Sequence, residues 1–107
     1  PSSKEERVYD TFLRTKEFDK RVAIILDASE DSGINIKSDE FLEMARFFSS
    51  FLKDSSNLIS DRIEALLVVE DLSGNGVPVT SEISFQELYK NLSIQEKKAG
   101  EATQRQN

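Results

Sequence analysis

The sequence predicts an all-α domain of four to five helices, and three observations carry that expectation. Apolar residues recur at three- and four-residue intervals through most of the chain. Serines stand just ahead of acidic residues where those repeats begin, as helix caps do. The polar connections fall between the repeats, so they join helices without interrupting them.

The opening SSKEERVYDTFLRT places Ser3 three residues before Glu6, a capping-box spacing, and Val8, Tyr9, Phe12 and Leu13 then follow at helical intervals. In EFDKRVAIILDAS, Phe18, Val22, Ile25 and Leu26 fall on one face of a second helix. The β-branched cluster VAIIL competes for a strand, but no Gly, Pro or Asn separates Leu13 from Val22, so the helix is preferred. Residues 39–53 read as a third helix through Phe41, Met44, Phe48, Phe51 and Leu52. Ser38 stands as its cap and Lys53 at its negative end.

DSSN breaks that pattern, and ISDRIEALLVVEDLSGNG restores it with Ile59, Ile63, Leu66 and Leu67 in helical phase and glycines at the stop. The centre, ALLVV, is apolar all round and fits either a buried helix or a buried strand; periodicity does not separate them. Ser84 and Glu87 form another capping box before Phe85, Leu88, Tyr89 and Leu92. The final QEKKAGEATQRQN has no apolar anchor and reads as a frayed helix or a tail. The expected organisation is a single helical domain over 1–98 and a polar tail over 99–107.

Composition narrows the function. The 107 residues are 37% hydrophobic and 32% charged, ordinary for one soluble domain. No apolar run approaches the ~20 residues of a membrane span, and no secretory signal is visible. Cysteine is absent, which removes thiolate zinc sites and cysteine nucleophiles and fits a reducing, intracellular compartment. Histidine is absent too, which removes the imidazole base and the histidine metal ligand. A net charge of −6 with scattered basic residues argues against nucleic acid as a partner. The chain reads as a binding module and not as an enzyme.

The connections near 28–38 and 73–83 are rich in side-chain oxygens, and calcium takes six to eight oxygen ligands. IKSDEFLEM, residues 36–44, resembles the exit half of an EF-hand of the calmodulin and troponin C superfamily. The resemblance makes Ile36 the pairing residue, Glu40 the closing carboxylate, and Asp27, Ser29, Asp31 and Gly33 the front half. Asp27 to Glu40 spans 14 positions instead of the usual 12. Long loops of that kind occur in small dimeric EF-hand proteins and bind largely through carbonyls. Here Asp27, Glu30, Ser32 and Asn35 would supply those carbonyls.

The second loop offers two registers. Asp71, Ser73, Asn75, Gly76 and Glu82 match one, although Pro78 then occupies the pairing position; Ile83 and Glu87 match the other. The resemblance therefore implies a degenerate EF-hand pair, with no resident cofactor beyond weak calcium.

A second resemblance leads to an α/β alternative. RVAIILDASEDSG is similar to the first strand and metal turn of a von Willebrand A-type domain. Asp27 and Ser29 match its motif and Asp31 replaces the last serine. DRIEALLVVEDLSG would be the next strand of this partial adhesion domain.

The remaining signal is aromatic. Phe47, Phe48 and Phe51, with Leu52, cover more than one narrow helix face. They make a candidate groove for another protein or a peptide helix, and the expected function is a regulatory or adaptor module that grips such a segment.

Overall fold

The computed structural model describes residues 1–79 and 84–106, with 101–106 described by backbone alone. It contains five helices: α1 (Lys4–Arg14), α2 (Phe18–Glu30), α3 (Asp39–Lys53), α4 (Ile59–Gly74) and α5 (Phe85–Gln106). No strand occurs among the described residues. The apolar centres of the first two strands of the α/β alternative, VAIIL and ALLVV, lie inside α2 and α4.

The caps form where the side chains allow them. Ser3 Oγ accepts from Glu6 N–H at 3.1 Å while Glu6 Oε1 accepts from Ser3 N–H at 3.2 Å, closing the capping box of α1. Ser38 Oγ accepts from Phe41 N–H at 3.2 Å and opens α3. Helix α4 lacks such a cap, because Leu58 precedes it.

Why ALLVV is helical follows from where α4 sits. It packs against α2, α3 and α5, and Ala65, Leu66, Val68, Val69 and Leu72 are all buried. These buried residues share one broad face, while Leu67, in the middle of ALLVV, is 44% exposed, so an apolar residue on the outer face blurs the one-faced repeat that marks surface helices. Around it, Phe12 of α1, Ile25 of α2 and Phe41, Met44, Phe48 and Leu52 of α3 complete one core. Each such fully buried large side chain contributes roughly 1.5–3 kcal/mol.

Helix α5 differs from the other four. Among the helices it packs on α4 alone, and Leu92 is its one fully buried side chain among the described residues. From Ile94 to Gly100 its side chains are exposed. Its 22 residues, about 33 Å at 1.5 Å per residue, help stretch the molecule to 57 × 28 × 19 Å.

The helix boundaries cut across the loops that the EF-hand resemblance requires. Helix α2 continues through Asp27 and Ser29 to Glu30, leaving only residues 31–38 before α3. Ser29 Oγ donates to Leu26 O at 2.7 Å, a back-bond within its own helix. Asp71 and Ser73 belong to the last turns of α4, and Asn75 is its C-cap. Glu40 and Glu87 lie in the first turns of α3 and α5. The alternative closing residue Glu82 and the pairing residue Ile83 lie outside the described residues.

Candidate functional site

The most chemically distinctive region lies where α1, α2 and α3 meet. Phe12 is buried, with its ring edge-on to Phe47 at 5.6 Å and to Phe48 at 6.0 Å. Phe18, the first residue of α2, stacks on Phe51 at 4.3 Å and meets Phe48 edge-on at 5.9 Å. Phe47 and Phe48 contact each other edge-on at 5.0 Å. Edge-to-face and offset arrangements of this kind add about 0.5–1.5 kcal/mol per pair beyond the area they bury.

Arg21 completes the cluster. Its guanidinium lies 4.7 Å from the Phe12 ring centroid and 4.6 Å from that of Phe47, a cation held between two π faces. Its Nε donates to Thr15 O at 2.6 Å, and Nη2 makes a longer 3.5 Å contact with Leu13 O. Both carbonyls belong to the end of α1, where the helix dipole is negative and its last acceptors lack intrahelical partners. One side chain thus closes α1, starts the turn into α2 and seats two aromatic rings. Sequence reasoning passed over Arg21; the available signal was a cation four residues into a helix that follows a corner without Gly or Pro.

Phe12, Arg21 and Phe47 of this cluster also line a groove of about 360 Å³ between α1 and α3. Tyr9, Leu13 and Phe47 give it apolar walls, and Glu43, Arg46 and Ser50 form its polar edge. Leu13 is 46% exposed, although it lies beside the molecule's densest aromatic packing. Arg46 pairs with Glu43 one turn away along α3, so this edge carries no net charge from that pair.

The four proposed partner-binding residues divide. Phe48 is 0% exposed and Leu52 1%, so they are core. Phe47 and Phe51 are half-buried, and Phe47 alone of the four lines the groove. The groove's other apolar walls, Tyr9 and Leu13, come from α1 and are far from Phe47 in the sequence.

The oxygen-rich candidates have different neighbours. Asp27 and Asp31 line a second groove, of about 390 Å³, between α1 and α2. Asp31 pairs with Lys4 Nζ at 2.6 Å and accepts from Gly33 N–H at 2.8 Å. Those two partners, the lysine first, hold its carboxyl below its ordinary range. Glu5 accepts from Asn35 N–H at 3.0 Å and is lowered chiefly by that bond. Asp54 is lowered by the Ser56 hydroxyl and then by Ser56 N–H. These carboxylates pin loops to helix ends. Among the described residues, no group of three or more acidic side chains is placed to hold a metal ion.

Fold and groove together define a small all-helical packing module. The chain belongs to the GreA-associated C-terminal domain family, GRAD_C, whose profile matches residues 4–99. That assignment overturns both the EF-hand and the von Willebrand A-type resemblances, which rested on short oxygen-rich motifs. No curated protein and no solved structure matches the chain. No helix among the described residues is long and apolar enough to cross a membrane.

Proposed function

We propose that this chain is a non-catalytic interaction module that holds a partner segment in the α1–α3 groove, with GreA as the first partner to test. The single observation that carries this reading is the combination of half-buried Phe47 and exposed Leu13 on a floor made rigid by Phe12, Phe48 and Arg21. Rigid apolar walls of this kind suit the apolar face of an amphipathic helix. The family's description, GreA-associated, supports GreA over an arbitrary partner.

Two further features favour binding over catalysis. The chain has neither histidine nor cysteine. Among the described residues, every resolved shift is a carboxylate moved downward, away from the range of a general acid or base working near neutrality.

Calorimetric titration of the chain with GreA tests the reading. Leu13→Asp adds a charge to an already exposed wall, so it should keep the helical circular dichroism spectrum and weaken binding at least about tenfold. Undiminished affinity in a folded Leu13→Asp chain would remove this groove as the docking surface.

A further inference from the structure

The end of α4 carries a chemical feature that the interaction reading does not use. Asn75 is the C-cap and Gly76 follows it with φ +90°, the left-handed conformation that closes many helices. Val77 N–H donates to Leu72 O at 3.0 Å, and Gly76 N–H donates to Ser73 O at 3.1 Å. This pair of bonds is a Schellman motif, and Val77 and Leu72, the two positions it brings together, are both buried in the core. Asn75 itself is exposed.

We infer that Asn75 is a site of spontaneous deamidation, and that the Schellman motif acts as the lock that controls its rate. The reaction is an intramolecular acyl transfer. The Gly76 backbone nitrogen loses its proton and attacks Cγ of Asn75; a new C–N bond forms, and the side-chain amide nitrogen leaves as ammonia. Water then opens the five-membered imide at either carbonyl, giving aspartate or isoaspartate. Of the asparagines followed by another residue, Asn35 precedes Ile, Asn57 and Asn91 precede Leu, and only Asn75 precedes glycine. A glycine nitrogen has no neighbouring side chain to obstruct the attack.

The native geometry opposes this step in two ways. Gly76 N–H is engaged as a hydrogen-bond donor, so it is not free to act as a nucleophile. With Asn75 ψ at 5°, Gly76 N nearly eclipses Asn75's own backbone nitrogen, whereas ring closure requires it to swing toward Cβ. Both obstacles vanish together when the last turn of α4 opens. Helix ends open locally at far lower free energy than the whole fold.

The product would be disruptive. Either acid adds a negative charge at the negative end of α4, one turn from Asp71. Isoaspartate also lengthens the main chain by one atom, which displaces the Gly76 and Val77 donors from Ser73 and Leu72. The segment so loosened leads toward α5, whose packing among the helices is, among the described residues, on α4 alone. The modification would therefore loosen the hold of α5 while leaving the α1–α3 groove intact.

Incubation of the whole chain at mildly alkaline pH, folded and in concentrated urea, tests the inference by peptide mass mapping with isoaspartate detection. The expected product maps to Asn75, forms at least about tenfold more slowly in the folded chain, and is absent in Asn75→Ser. Val77→Ala, which removes the buried anchor, should speed the folded reaction several-fold and leave the rate in urea unchanged. Equal rates in folded and unfolded chains, or no effect of Val77→Ala, would overturn the lock. No product at Asn75 in the unfolded chain would overturn the site.

Discussion

At both the α1–α2 and the α3–α4 corner, the fourth residue of the incoming helix is an arginine whose Nε reaches back to the end of the helix before it. Arg21 donates to Thr15 O at 2.6 Å and Arg62 to Leu52 O at 2.8 Å. The surroundings differ. The first corner spans Thr15 to Glu17 with no Gly, Pro, Asn or Asp, and Arg21 lies in the angle between the nearly perpendicular Phe12 and Phe47 rings. Thr15 Oγ1 also donates to Thr11 O at 2.7 Å, easing α1 to its close.

The second corner is built from turn residues. Asp54 Oδ1 accepts from Ser56 N–H at 2.9 Å and from its hydroxyl at 2.6 Å, and Asn57 Nδ2 donates to Phe51 O at 3.0 Å. A corner lacking turn chemistry must be held by one multivalent side chain, whereas a corner supplied with Asp, Ser and Asn shares the work among several.

The largest expected effect is therefore at Arg21. Arg21→Ala removes a charged hydrogen bond to a helix terminus together with two cation–π contacts, a loss of about 2–3 kcal/mol measured as a lower urea midpoint. Arg21→Lys should recover little of it, because an ammonium has neither the planar face nor the Nε–H. Arg62→Ala should cost less, about 1–2 kcal/mol, with Arg62→Lys retaining part of the bond. Equal losses at the two positions would show that the two aromatic contacts add nothing.

The smallest effect concerns acid. Asp54 is held below its ordinary 3.8 by Ser56, so it stabilises the folded state fully above that value. That contribution falls away as pH drops through the depressed folded-state value. Asp54→Asn should unfold slightly more easily than the parent near neutrality, and the gap should close between about pH 5 and pH 2. A gap that stays constant over that range would mean the Asp54 carboxylate does not support this corner.

The same residue letters explain what the sequence did and did not disclose. Helix α3 was plain because it buries one face and exposes the other, and Ser3 and Ser38 announced their caps because each has one geometric task. Helix α4 stayed ambiguous because exposed Leu67 interrupts the polar face opposite its buried residues and so blurs the periodic signal. The oxygen-rich connections misled for another reason. Asp, Ser and Asn make helix caps, Asx turns and calcium ligands alike, and the choice depends on where the helix lets go. Asp27 and Ser29 remain helical, so their ligand-like spacing never becomes a loop. Phe47 pointed toward the groove, but Tyr9 and Leu13 read as ordinary members of α1, since nothing in their local pattern marks the α3 neighbour they meet. Arg21 was silent because a half-buried cation between rings has no signature in a linear pattern.

The most direct test of the groove as a docking surface is to add GreA to isotope-labelled chain and follow its backbone amide resonances. The expected result is concentrated shifts or broadening at Tyr9, Leu13, Phe47 and Ser50, with α5 beyond Ile94 unmoved. Saturation with GreA that leaves those four amides in place would contradict the account.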